Sequence, residues 1–292
     1  MARKVTCTNN QGTTITFGEN AFEPFLLAYI DGVYETENNV IITANTMSDG
    51  GTYQGSTKKV RNIVLGISDK ASNVYRINSR DVLYNLFPKN ELGTLTYWED
   101  GIERVINYRV ESVKQGAWDK RLYTVSLLCD DPYFYAKNDI HISMASAISN
   151  FEFEHEFYSW EEISYISQNR IATVDNMNAV DDIGLTITIT TKGNASNITV
   201  TRIESDEHIT VGHSGKPLNM ILGDKLIITT GNGDKHVYFE RDGEREEINE
   251  YITEDSVFIQ LARGINNIGY SAESGEENLT VELSYKLKYE GA

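Results

Sequence analysis

Apolar and polar residues alternate with a period of two along nearly the whole 292-residue chain, and the alternating runs are rich in Val, Ile and Thr. Successive side chains of an extended strand point to opposite faces, so this pattern commits the chain to sheets with one face buried. "KVTCTN", "GTTITFG", "FLLAYIDGVYETE" and "NVIITANT" read as short strands separated by Asn and Gly turns. The run "YQGSTKKVRNIVLGIS", Tyr53 to Ser68, is polar on both faces at its start and apolar at its end. Its first part predicts an arm or edge that leaves the domain body, a segment of the kind that pairs with a neighbour. "TLTYWED", "IERVINYRVESV" and "KRLYTVSLLC" follow as antiparallel strands around the turns at Asp100-Gly101 and "KQGAWD". Trp98, after Leu95 and Tyr97, is expected in the core. The last strand stops at Asp130, Asp131 and Pro132, where Tyr133, Phe134 and Tyr135 arrive together.

One helix is expected, in "NSRDVLYNLFPKN", with Asn78 or Ser79 as N-cap, Asp81 in the first turn and Pro88 as the stop. Val82, Leu83, Leu86 and Phe87 would form its apolar face, and its shortness makes it a plug on a sheet. Ala136 to Asp175 reads as a junction. Within it "FEFEHEF" sets Phe151, Phe153, His155 and Phe157 against Glu152, Glu154 and Glu156, an edge-like strand with an acidic outer face. From "GLTITITTKG" to "NLTVELSYKLKYEG" strands recur at a spacing of about 8 to 12 residues with Gly, Asn and Asp turns, which suggests a β-sandwich. No internal repeat is visible, which argues against propellers and solenoids.

The length suits two ordinary cores, hence two domains. The start "MARKVTCTNN" is too polar for a secretory signal, and no run reaches the ~18 apolar residues of a membrane helix, so a soluble protein made in a cytoplasm is expected. Cys7 and Cys129 lack metal-like spacing and read as reduced, buried thiols. Charge is uneven: residues 1–145 hold 15 Lys and Arg against 17 Asp and Glu, whereas residues 146–292 hold 11 against 26. The second half would repel phosphates, so neither specific nucleic-acid binding nor membrane insertion is expected.

Motifs for chemistry are missing. There is no HExxH, CxxC pair, EF-hand loop or GxSxG. "GHSGKP" ends like a phosphate loop but carries Thr210 and Pro217 where that loop needs Gly and Ser or Thr. His141, His155, His208, His213 and His236 stand singly, and the pairs Glu161-Glu162, Asp181-Asp182 and Glu246-Glu247 are what so acidic a half produces by composition. No catalytic, cofactor-binding or metal residue is therefore assigned. Aromatic residues remain. Trp118 at a hairpin tip either anchors a partner or folds back on its own sheet, and Tyr133 and Phe134 either pack on the helix or face a neighbour. The candidate interface comprises Tyr53, Lys58, Lys59, Arg61, Trp118, Asp131, Tyr133 and Phe134.

The order "VRNIVLGIS", "SRDVLYNLFP", "GTLTYWEDGIERVINYRVESV", "YTVSLLCDDPYFY" resembles the N-terminal domain of the distal tail proteins of long-tailed, siphovirus-type bacteriophages. In that family a strand ends in an Asp-Pro-aromatic turn, matched by Asp131, Pro132, Tyr133 and Phe134. "GDKLIITTGNGDKHVYF", "SVFIQLARGINNIGYSA" and "VELSYKLKYEG" are similar to the family's galectin-like C-terminal domain. The resemblance implies a mainly β chain: residues 1–140 as a β-sandwich or split barrel with one short helix and an extended hairpin, a junction at 141–175, and a galectin-like sandwich at 176–292. It further implies a homohexameric ring at the virion tail tip, made in the host bacterial cytoplasm, with DNA passing through its centre and no catalytic residues or cofactor. The implied partners are the tail tube protein, the tail-tip hub protein and receptor-binding proteins. The rival is a carbohydrate-binding module attaching the particle to the host cell wall. Trp160 is the second half's one tryptophan for stacking on a sugar, which leans against that rival.

Overall fold

The computed structural model describes residues 3–18, 25–70, 76–149, 164–168, 170–177 and 180–292. The chain divides into two compact units, Met1–Lys137 with Lys288–Ala292, and Asn138–Leu287. The expected strand at Phe151–Phe157, with His155, Trp160 and the pair Glu161-Glu162, lies outside the described residues. The last five residues differ from the expected boundary at 176–292. Lys288 and Tyr289 pair antiparallel with Tyr135 and Phe134, which returns the carboxyl end to the first unit.

Among the described residues of the first unit the strands are β1 (Arg3–Thr8), β2 (Thr14–Gly18), β3 (Phe25–Asp31), β4 (Asn38–Ala44), β5 (Gly51–Lys58), β6 (Arg61–Asp69), β7 (Leu92–Glu99), β8 (Ile102–Gln115), β9 (Leu122–Cys129) and β10 (Phe134–Ala136), with one helix, α1 (Arg76–Leu86). Seven of them close a barrel in the order β7-β1-β2-β3-β6-β9-β8, with β8 returning to β7. The closure depends on the length of β8. Its first half pairs with β7, its second half with β9, and a bulge between Val110 and Ser112 bends it from one partner to the other. Closing the sheet removes most open edges. Alternation fills the interior with Val5, Cys7, Ile63, Leu65, Ile67, Leu95, Tyr97, Val125, Leu127 and Cys129.

Trp98 was expected inside. It instead faces outward with Lys4 Nζ 4.8 Å from its ring centroid, because Leu95 and Tyr97 face inward and strand parity turns residue 98 the other way. Both cysteines are buried and unbridged, and burial pushes the Cys129 thiol up to about 12. The helix begins by Arg76, so Asn78 and Ser79 lie within it and neither is its N-cap. Leu83, Leu86 and Phe87 join the barrel core, while Val82 is exposed. Phe87 stacks on Phe17 at 6.3 Å and meets Tyr108 at 6.2 Å, and Asn9 Nδ2 donates to the Asn85 carbonyl at 3.0 Å.

The second unit contains β11 (Ile140–Ser143), β12 (Ala145–Ser149), β13 (Ser164–Gln168), β14 (Ile171–Asp175), β15 (Ile183–Thr191), β16 (Ala195–Arg202), β17 (Glu207–Val211), β18 (Asn219–Met220), β19 (Lys225–Gly231), β20 (Asp234–Arg241), β21 (Glu244–Glu247), β22 (Gln260–Leu261), β23 (Ile265–Ser274) and β24 (Leu279–Tyr285). One sheet runs β11-β24-β15-β19-β20-β21 with β22 on β15, and the other runs β14-β23-β16-β17 with β18 on β16. β12 and β13 form a separate ribbon. The inward residues of the two sheets, among them Ile187, Ile189, Ile228, Leu283, Val200, Ile209 and Ile268, make one core. Thr186, Thr188 and Thr190 take the outward parity of β15.

A buried charge fixes the turn before β19. Asp224 is 2% exposed and takes both Arg241 Nε (2.9 Å) and Nη2 (2.6 Å), together with the Ile221 N–H at 2.8 Å. The Arg241 hydrogen bond, with that of Ile221, holds the Asp224 carboxyl below the usual aspartate range against the opposing effect of burial. Because the folded pKa is depressed, the pair's contribution stands in full above the ordinary aspartate value and is lost as pH falls through the folded one. Denaturant melts below about pH 4 should therefore show second-unit stability falling with pH, and Asp224→Asn should weaken the unit at pH 7 and flatten that fall.

Candidate assembly surfaces

Of the eight residues singled out from sequence, three are engaged inside the first unit. Arg61, the first residue of β6, is 7% exposed. Its Nε donates to the Pro132 carbonyl at 2.7 Å, and its Nη1 donates to the carbonyls of Gly32 (2.7 Å), Val33 (3.3 Å) and Glu35 (2.7 Å). Nη2 donates to the Glu290 carbonyl. Burial pushes the guanidinium pKa down, and the nearby Glu290 and Glu35 carboxylates act against that. One side chain thus ties together the turn after β3, the turn after β9 and the carboxyl-terminal tail. Gly32 permits the approach: its φ is +84°, and a β-carbon there would lie 2.0 Å from the Asn62 carbonyl oxygen.

The Asp-Pro-aromatic turn belongs to the same node. Asp131 accepts the Tyr133 N–H at 3.2 Å and the Tyr135 hydroxyl at 2.5 Å, which forms the turn locally. Phe134 is fully buried, with the Arg61 guanidinium 5.2 Å from its ring centroid. Arg61 and Phe134 are thus buried within the first unit, whereas Asp131 is exposed and shapes the turn locally. Tyr133 keeps a partly exposed ring, with Lys288 Nζ 3.9 Å from its centroid.

The other candidates lie on projections. β4 and β5 form a hairpin paired with no other strand among the described residues. Every residue of β4 is exposed, including Val40, Ile41 and Ile42, and Tyr53 opposite Ile42 is 62% exposed. Lys58, at the hairpin base, pairs with Glu290 at 2.6 Å, and Lys59 pairs with Glu37 at 3.1 Å. Trp118 stands at the β8–β9 tip, fully exposed. It does not fold back on its sheet.

The sequence reading missed the part played by the Gly32–Glu35 turn and the carboxyl-terminal tail. Asp31-Gly32 was a visible turn signal. Pairing between Arg61 and Glu290 spans 229 residues, and no local pattern encodes it.

Chemistry is sparse elsewhere. His141, His208 and His236 each sit beside a separate carboxylate, Glu282 (3.0 Å), Asp255 (3.3 Å) and Glu247 (2.6 Å) respectively. His213 closes the tight turn to Lys216, the segment that resembled a phosphate loop. Among the described residues no group of three His, Cys, Asp or Glu is placed to hold a metal, and no helix is long and apolar enough to cross a membrane.

Comparison with known proteins agrees with this architecture. Residues 178–289 match the family described as the siphovirus-type tail component, C-terminal domain. The Dit (gp 19.1) protein of phage SPP1, described as a paradigm of the hub adsorption apparatus in phages infecting Gram-positive hosts, superposes with a TM-score of 0.67 at 12% identity, covering 98% of this chain and 99% of that one. A chain of the phage P2 baseplate, in an activated conformation with Ca, matches over 100% of both chains with a TM-score of 0.53 and 11% identity. No curated protein sequence matches. Residues 178–289 thus match the siphovirus-type tail component, C-terminal domain, within a chain that shares the fold of the SPP1 Dit protein over 98% of its length.

Proposed function

We propose that this chain is a structural protein of a phage tail tip, six copies of which form a ring joining the tail tube protein to the tail-tip hub protein and, through the hub, to receptor-binding proteins that attach the virion to its host. It has no catalytic role; its work is the geometry of its interfaces. The observation that carries the reading is the β4–β5 hairpin. It exposes Val40, Ile41, Ile42 and Tyr53 and leaves one backbone edge of each strand without a partner among the described residues. A neighbouring copy satisfies both at once, by strand pairing along the edge and burial of the apolar face.

Charge supports the same division of labour. The first unit holds 16 Lys and Arg against 17 Asp and Glu, so copies can pack without mutual repulsion. The second holds 10 against 26, which favours solvent and keeps second units apart. Light scattering and electron-microscope imaging of the purified chain test the proposal. Rings with a mass near six chains are expected, and a chain that stays monomeric at high concentration and in the presence of tail-tube and hub proteins would refute it.

A further inference from the structure

The tip that carries Trp118 is rigid. Gly116 N–H donates to the Leu122 carbonyl (2.7 Å), Leu122 N–H to that of Asp119 (3.1 Å), Gln115 Nε2 to that of Lys120 (2.7 Å), and Arg121 N–H to Asp119 Oδ1 (2.9 Å). A β-carbon on Gly116 would come within 2.5 Å of the Asp119 carbonyl oxygen, so the turn requires glycine. A rigid support loses little conformational entropy when its indole is buried by a partner. Around the indole, Lys114, Lys120 and Arg121 are exposed, and none has a carboxylate within ion-pair distance among the described residues. The tip is an aromatic knob with surplus positive charge.

At the opposite end of the β6–β9 ladder lies a groove of about 260 Å³ beside Arg61, with Val60, Val64 and Pro132 in its lining. Small-molecule sites run roughly 300–1,000 Å³, so this volume suits one large side chain better. Its cations are committed: Lys58 to Glu290, Lys59 to Glu37, and Arg61 to carbonyls. Its other carboxylates, Asp31 and Glu35, are exposed and have no Lys or Arg within ion-pair distance among the described residues. With the Lys58–Glu290 and Lys59–Glu37 pairs cancelling, the groove keeps Asp31 and Glu35 against the single charge of Arg61, so its net charge is negative while that of the knob is positive. The ladder runs from Ser68 opposite Leu122 to Arg61 opposite Cys129, about 24 Å at the usual rise, so a copy cannot fill its own groove with its own tip.

We propose that Trp118 of one copy inserts into the groove beside Arg61 of the next, with Lys120 and Arg121 facing Asp31 and Glu35. This rests on the ring reading above and names a contact within it. A head-to-tail contact between unlike surfaces generates a ring when its rotation closes.

The test mixes two single-cysteine variants of the full chain, Trp118→Cys and Glu35→Cys, with a short bismaleimide; the native cysteines are buried. Cross-linked pairs should form in the mixture and not from either variant alone. Trp118→Ala should weaken self-association about 30-fold or more without shifting the melting temperature, as for a buried aromatic anchor. Arg121→Glu should also weaken it, and adding Glu35→Arg should restore it. If wild-type rings form but the cross-link is absent and Trp118→Ala associates normally, the knob-and-groove contact is wrong and the ring reading survives. If the wild type forms no ring even with tail partners, both fall together.

Discussion

Arg61→Met is expected to lower the unfolding free energy of the first unit by about 3–5 kcal/mol, the scale for losing a buried charged partner. The methionine keeps much of the apolar stem, so the loss reports the guanidinium. Five carbonyls, those of Gly32, Val33, Glu35, Pro132 and Glu290, would lose a charged donor at once in a place with little access to water. Arg61→Lys should not rescue it, because an ammonium cannot present the five-donor planar fork that reaches all five. Hydrogen exchange gives the diagnostic: the Ala292 N–H, bonded to the Val33 carbonyl at 3.1 Å, and the Tyr289 pairing with Phe134 should lose protection before the barrel strands do. A loss below about 1 kcal/mol, the scale of an ordinary hydrogen bond, with the tail still protected would mean that the tail is held by the Lys58–Glu290 pair and the Arg104 donation to the Gly291 carbonyl instead.

The second large effect concerns assembly and should leave folding untouched. Ile42→Asp combined with Tyr53→Ser on the β4–β5 hairpin is expected to weaken self-association by roughly 100-fold or more, since burying each large apolar side chain contributes about 1.5–3 kcal/mol. Both residues are more than 60% exposed in the single chain, so the melting temperature should stay within about 1–2 °C of wild type while the sedimentation profile moves toward monomer. Equal loss of stability and assembly would instead mean that the hairpin packs against its own chain. The arm variant and Trp118→Ala act at different points of the same proposed ring, so their effects on association should add if the contacts are independent.

What could be taken from sequence was whatever repeats locally. Alternation of β-branched and polar residues set the strands and the buried parity, which is why Ile63, Leu65, Ile67, Val125 and Leu127 are core and why Leu83 and Leu86 tie α1 to it. The polar run that became β5 marked the arm, and the order of the motifs carried the resemblance to the distal-tail fold. Trp98 shows how narrow that information is: the same parity rule, counted one residue on from Tyr97, places its ring outside.

Only the folded chain decided which polar groups meet across long separations. Arg61 looked like an interface residue because charged side chains are ordinarily exposed; its burial depends on carbonyls contributed by residues 32 to 35, 132 and 290, and no periodicity relates those positions. Likewise Phe134 is interior because β10 lies between β8 and the returning carboxyl-terminal strand, whereas Trp118 is exposed because its turn is hydrogen-bonded shut beneath it. Period-two patterning fixes which side of a strand is apolar, but it carries no information about which distant backbone a side chain reaches. That is set when the barrel closes and the carboxyl-terminal strand pairs with β10.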